Sequence, residues 1–267
     1  MPEHDNAHAH GHTSQGQSDA HGRALAGEDT NEAIWKSDIG VTFWKATAAD
    51  RERRRAGHRV LLAELLPFAT DEAFTFVDLG AGTGAAARTI MDYFPAASAI
   101  LADYSEQMMA QGAKELAPYA GHYRYVEFNL ARGGAWPADI SSKVDAVVTS
   151  LAVHHLNDDR KRELFQEILD HLVPGGWFLN YDPVATADPV VQAAWHRVED
   201  RRDTSAADKR NHRSPEEQLR FENHTRYMIA LDPQVAFLRE AGFEGVDVYW
   251  RELDYAIYGG RRPTATI

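Results

Sequence analysis

The sequence predicts an α/β fold, a doubly wound and mostly parallel seven-stranded sheet carrying a helical cover. Three observations predict it. Short apolar strands alternate with longer helices, the pattern of stacked βα units. The stretch Phe76-Val77-Asp78-Leu79 runs straight into Gly80-Ala81-Gly82-Thr83-Gly84, a strand breaking into a turn where glycines let a ligand approach the main chain at a helix N-terminus. Val144 to Ser150 is near-continuously apolar, as a parallel strand covered on both faces must be.

Taken in order, residues 1 to about 30 hold Gly, Ser, Asp, Gln and Ala with His4, His8, His10, His12 and His21, and almost nothing to bury. A disordered tail is expected there. Its His8-Ala9-His10-Gly11-His12 cluster suits weak chelation of a divalent metal, or is simply a solvated tail with incidental histidines. Residues 31–70 read as an N-terminal helical cap. Its helix begins near Asp50, with Val60, Leu61, Leu62, Leu65 and Leu66 as buried stripe and Arg51, Arg53, Arg54, Arg55 and Arg59 as solvated face. Phe43 and Trp44, ahead of it, belong to the apolar run that leads into the helix, or close over a ligand.

Residues 71–267 read as the main domain. After the glycine turn, Ala85 to Phe94 is an alanine-rich helix and Ala99 to Asp103 a second strand ending in an acid. Ser105 is placed to cap the helix through Met108, Met109 and Leu116. Tyr123 to Leu130 reads as a third strand and Val144 to Ser150 as the fourth. Asn157 caps a helix with Asp158 and Asp159 in its first turn, where acids favour the dipole. Pro174-Gly175-Gly176 then turns the chain into a fifth strand, Trp177 to Tyr181. Helical pieces around Val190 to Arg202 and Pro215 to Ile229 form an inserted cover over about 183–231. A helix from Pro233 to Ala241 stops at Gly242, two closing strands follow at Val246 to Trp250 and Leu253 to Tyr258, and a polar exit starts at Gly259.

Composition narrows the function classes. A chain of 267 residues that is 44% hydrophobic can bury a full core. A formal charge of −12 argues against a sequence-independent nucleic-acid binder, which needs a clustered basic face, and suits a small or cationic partner. The absence of cysteine excludes disulfides, thiolate zinc sites and cysteine nucleophiles. No apolar run reaches the roughly 18 residues of a membrane span, so a soluble, cytoplasmic protein is expected. Oligomeric state is left open, a homodimer included.

The turn does not match GxGxxG, because its third glycine comes one residue early, which weakens a pyrophosphate reading. Asp78 adds negative charge beside the turn and suits an ammonium group. Asp103, 23 residues beyond Gly80 at the end of the next strand, stands where an acid accepts hydrogen bonds from ribose hydroxyls. A ribose plus a cationic group is the implied ligand.

Through Val77 to Gly84, Asp103, the Val144 to Leu156 segment and Leu172-Val173-Pro174-Gly175-Gly176, the sequence resembles the class I S-adenosylmethionine-dependent methyltransferases of small-molecule type, over roughly residues 76 to 182. The resemblance implies S-adenosylmethionine as cofactor. Asp78 and the turn Gly80, Ala81, Gly82 and Gly84 would hold the methionyl end, Asp103 the ribose hydroxyls, and Tyr104 and Met108 the adenine. Asn129, where an aspartate is commoner, and Leu130 would flank the adenine edge, and Ser150 and Leu151 would lie near the sulfonium.

His154 and His155 follow the fourth strand, where a methyl acceptor must lie. Either can act as general base, or one packs in the helix-entry loop while the other faces solvent. Tyr181 and Asp182 are further pocket candidates, Asp182 equally a turn residue before Pro183. No metal is assigned to the site. The expected activity is methyl transfer to an oxygen, nitrogen or carbon of a small molecule. A carboxy-S-adenosylmethionine-type enzyme that reworks the cofactor, or a non-catalytic cofactor-binding module, is the alternative.

Overall fold

The computed structural model describes residues 30–37, 42, 44–140 and 143–264. The expected disordered tail and Phe43 lie outside the described residues, apart from Thr30. Seven strands form one sheet in the order β3-β2-β1-β4-β5-β7-β6. They are β1 Thr75–Leu79, β2 Ser98–Asp103, β3 Tyr123–Glu127, β4 Val144–Ser150, β5 Leu172–Pro183, β6 Glu244–Glu252 and β7 Tyr255–Arg261. The first five are parallel, while β7 runs antiparallel to both β5 and β6. The strand order reverses between β1 and β4, which opens a crevice at their carboxyl ends.

Helices α1 Thr30–Trp35, α2 Ala48–Glu64, α3 Ala85–Tyr93, α4 Glu106–Glu115, α5 Asp158–His171 and α9 Leu231–Ala241 flank the sheet or its edge. The cover consists of α6 Pro189–Arg202, α7 Ala206–Asn211 and α8 Pro215–Thr225. One core cluster packs α5 and α9 against the sheet through Leu164, Phe165, Ile168, Leu238 and Phe178. The other packs α2 and α3 on the opposite face through Leu62, Leu66, Ala87, Ile90 and Phe76. Ser105 and Asn157 cap α4 and α5, their side chains accepting from the N–H groups of Met108 and Arg160.

Several expectations change. The third strand ends at Glu127, short of Leu130. Cover helix α8 ends at Thr225, short of Ile229. Val60 is 41% exposed, outside the buried stripe of α2, whereas Arg59, expected in solvent, is 6% exposed and ion-paired with Glu52. Pro174-Gly175-Gly176 lies within β5 as an irregularity: Val144 pairs with Leu172, and two residues on Ala146 pairs with Trp177. Gly259 to Arg261 is strand, not exit, and pairs with Trp177 to Leu179. Only glycine fits at 259, where a Cβ would lie 2.0 Å from the Phe178 carbonyl oxygen.

Candidate active site

A cavity of about 1110 Å³ opens at the carboxyl ends of β1, β2 and β4, under α1 and the cover. Its lining includes Asp78, Gly80, Ala81, Gly82, Asp103, Tyr104, Met108, Asn129, Leu130, Ser150, Leu151, His154 and His155. Of the residues predicted to hold the cofactor or act as base, Gly84 alone is absent from this lining, and the further pocket candidates Tyr181 and Asp182 are absent from it too. Gly84 caps α3 in a left-handed conformation, φ +76°, and a Cβ there would lie 2.6 Å from both Leu101 and Leu116, so its task is packing beneath the turn.

The turn is held by backbone bonds. Asp103 Oδ2 accepts from Gly82 N at 2.7 Å and Oδ1 from Ser105 N at 2.8 Å, while Tyr125 Oη donates to the Gly82 carbonyl. Asp78 Oδ2 accepts from Ala87 N at 3.2 Å; its Oδ1 is buried without a partner. Burial pushes the Asp78 carboxyl up to about 7, with the charge of Asp103 acting in the same direction, and burial raises Asp103 as well. At the far end, Asn129 Nδ2 donates to Glu32 of α1 at 3.0 Å, and Arg132 also pairs with Glu32. Ser105 Oγ donates to the Trp35 carbonyl, so α1 is tied down over this end.

The other end follows β4. Leu151 adopts φ +62°, a conformation rare for a side-chain-bearing residue, and donates its N–H to the Tyr181 carbonyl of β5. The chain then turns through Val153–His155. His154, 2% exposed, donates its backbone N–H to Asp182 Oδ2 at 2.7 Å, and its Nδ1 lies 2.8 Å from Asp182 Oδ1. His154 Nε2 lies 3.1 Å from Nδ1 of His224 on α8. His155 Nδ1 is buried without a partner. Burial holds all three imidazoles below the usual histidine range and pushes Asp182 up to about 8, so the histidines are uncharged at neutral pH. His154 and His155 therefore face each other, ring centroids 3.9 Å apart, and neither stands in solvent. Asp182 is not a turn residue but the buried anchor of His154. Tyr181 turns to the opposite face, against His58, and does not line the cavity.

Residues 76–176 match the family model of the methyltransferase domain. Those residues form a methyltransferase domain. A comparison with curated proteins finds no match. Among solved structures, it is similar to an O-methyltransferase family protein of Burkholderia thailandensis, with 17% identity and a TM-score of 0.62 over 88% of this chain and 63% of the other. It is similar to human N-acetylserotonin methyltransferase, solved with S-adenosylmethionine, with 17% identity and a TM-score of 0.55 over 89% of this chain and 60% of the other. It also resembles the carbon methyltransferase CurJ, with 13% identity and a TM-score of 0.56 over 77% and 54%. At these identities the likeness is one of fold, and the chain spans less than two thirds of each of these structures.

The residues of the methyltransferase domain fit the cofactor. The unpartnered Asp78 Oδ1 suits a ligand ammonium group, which would relieve the cost of leaving a buried acceptor unsatisfied. Gly82 leaves its cradle open: at φ +55°, the one atom within 4 Å of a Cβ built there is Met108 Cε. Glu32, Arg160, Asp182 and His224 escaped the sequence reading in these roles. Arg160 is buried and donates to the Leu130 carbonyl at 2.7 Å, fixing the loop after β3. A lone histidine on a cover helix carries no local signal, so His224 could be found only in three dimensions.

Proposed function

We propose that the protein transfers a methyl group from S-adenosylmethionine to an oxygen, nitrogen or carbon nucleophile of a small molecule. One observation carries the reading: a single cavity runs from the glycine turn and Asp103 to the histidines after β4, so donor and acceptor ends share one chamber. When bound, S-adenosylmethionine supplies a methyl group on a cationic sulfur, open to in-line attack.

In this reading Asp78 and the turn from Gly80 to Gly82 hold the amino-acid end. Asp103 accepts from the ribose hydroxyls, and Tyr104, Met108 and Leu130 pack about the base. The Asn129 amide is already engaged by Glu32, so α1 shares the task of closing that end. Ser150 and Leu151 present the reacting end towards His154 and His155. The lone pair of a neutral histidine accepts the hydrogen bond, and then the proton, of the acceptor group. His155, which lines the cavity and whose Nδ1 is buried without a protein partner, is the residue to which we assign this role. Cover helix α8, with Phe221 and His224 on the cavity, excludes water and positions the acceptor.

The test is production of S-adenosylhomocysteine by purified protein against a panel of phenols, amines and carbon acids, with mass spectrometry of any nucleoside that copurifies. Turnover with at least one acceptor supports the proposal. Tight cofactor binding without turnover across the panel identifies a binding module, and a carboxylated nucleoside in the site identifies an enzyme that reworks the cofactor.

A further inference from the structure

The sequence reading assigns no metal, yet the three histidines at the acceptor end have the makings of a metal centre. One ring nitrogen from each of His154, His155 and His224 lies within 4.8 Å of the others. A tetrahedral zinc with bonds of about 2.1 Å sets its ligands roughly 3.4 Å apart. His154 Nε2 and His224 Nδ1 are already 3.1 Å apart, close to that spacing.

The surroundings are those a metal-binding histidine needs. A ligating imidazole commonly has its other nitrogen held by a carboxylate or a backbone carbonyl, which fixes ring and tautomer. His154 Nδ1 is held in this way by the fully buried Asp182. His155 Nδ1 has no partner in the protein, an orphan that a metal bond would satisfy. All three residues line the cavity, so a fourth coordination position would face the chamber and not the core. Three imidazoles without a thiolate suit zinc, cobalt, iron, nickel or copper in the divalent state and disfavour magnesium and calcium, which take oxygen ligands.

We propose that His154, His155 and His224 bind one divalent transition-metal ion, with Asp182 as the group that orients His154 and the open position directed at the methyl acceptor. Metal binding stands independently of the methyl-transfer reading; its use in catalysis rests on that reading. The ion would take the lone pair of an acceptor hydroxyl and lower its pKa, as metal ions do for bound water. The hydroxyl proton leaves to solvent through the cavity. The oxygen then forms its bond to the methyl carbon as the carbon–sulfur bond breaks, and the ion is unchanged. With metal bound, a ring nitrogen of His155 is a ligand, and the ion replaces this histidine as the group that activates the acceptor.

The tail histidines would confuse a metal count, so the test uses the full chain with His4, His8, His10, His12 and His21 changed to Gln, stripped with a chelator and titrated with cobalt(II). One equivalent should bind and give the visible absorption of a four-coordinate cobalt site. His155→Gln and His224→Gln in the same background should weaken binding at least tenfold and abolish that absorption, with far-UV circular dichroism unchanged. Zinc should raise the melting temperature of the tail-substituted chain and not that of His224→Gln. Absence of stoichiometric cobalt binding, or binding that both substitutions leave intact, overturns the proposal. Calorimetry with S-adenosylhomocysteine on the same samples separates the two readings: a chain that binds the nucleoside but no cobalt refutes the metal centre alone, and one that binds cobalt but no nucleoside refutes the cofactor reading alone.

Discussion

The two ends of the cavity are built by different means. At the glycine turn, the groups that would meet the cofactor come from consecutive βα units, and they are held by backbone hydrogen bonds such as those from Gly82 and Ser105 to Asp103. At the acceptor end, the polar atoms are side chains brought together over long separations: His154 meets Asp182 across 28 residues and His224 across 70. The first needs only two consecutive βα units, the Gly82–Asp103 bond joining the turn to the next strand. The second exists only if β4, β5 and the cover dock correctly, and so it is the part free to vary with the acceptor.

The sharpest way to break the comparison is Gly82→Val. A β-branched side chain at φ +55° is strained by about 1–3 kcal/mol and fills the open cradle, so affinity for S-adenosylhomocysteine should fall by roughly a hundredfold or more in calorimetry while the sheet still forms. A variant that keeps wild-type affinity would remove the turn from the cofactor site. At the other end, Asp182→Ala strands a buried imidazole and a buried N–H, at a cost of about 2–4 kcal/mol in urea denaturation. Nucleoside affinity should change little, because Asp182 lies outside the cofactor end. Equal loss of affinity and stability would show that the two ends are one device.

A pH series sharpens the cofactor end further. The folded Asp78 carboxyl titrates near 7, against 3.8 for the free side chain, because burial disfavours its charge. Its raised value favours the folded state at low pH; that contribution is complete below about 4 and is lost as pH rises through about 7, a change on the order of 4 kcal/mol at most. A cationic ligand group prefers the ionised form, so affinity for S-adenosylhomocysteine should rise between about pH 6 and 8, and Asp78→Asn should flatten that slope. The smallest expected effect is at α1. Glu32→Ala removes the contacts to Asn129, Arg132 and Lys36, partly exposed pairs worth about 1 kcal/mol or less together, and should speed nucleoside release only a few-fold in stopped flow.

The difference between the ends also explains what could be read before the structure. The strands β1, β2 and β4 were legible to within a residue because each is an apolar run bounded by turn residues. Ser105 and Asn157 were legible because capping is a rule about four consecutive residues. Strand β7 was cut short at Gly259, since two glycines and an arginine read as a loop when the close approach of the Phe178 carbonyl is unknown. Arg59 read as solvated because the cavity it lines is a tertiary fact.

By itself the sequence determined strands β1, β2 and β4, the glycine turn and the acids Asp78 and Asp103 at the strand ends, because these depend on periodicity and on short apolar runs. Tertiary structure alone decided that Gly84 packs and does not line the cavity, that Asp182 holds His154, and that His224 completes a three-imidazole cluster at the acceptor end. The physical reason is the length of chain between those groups: no local pattern records a contact whose geometry is set by how a cover helix docks on the end of a sheet.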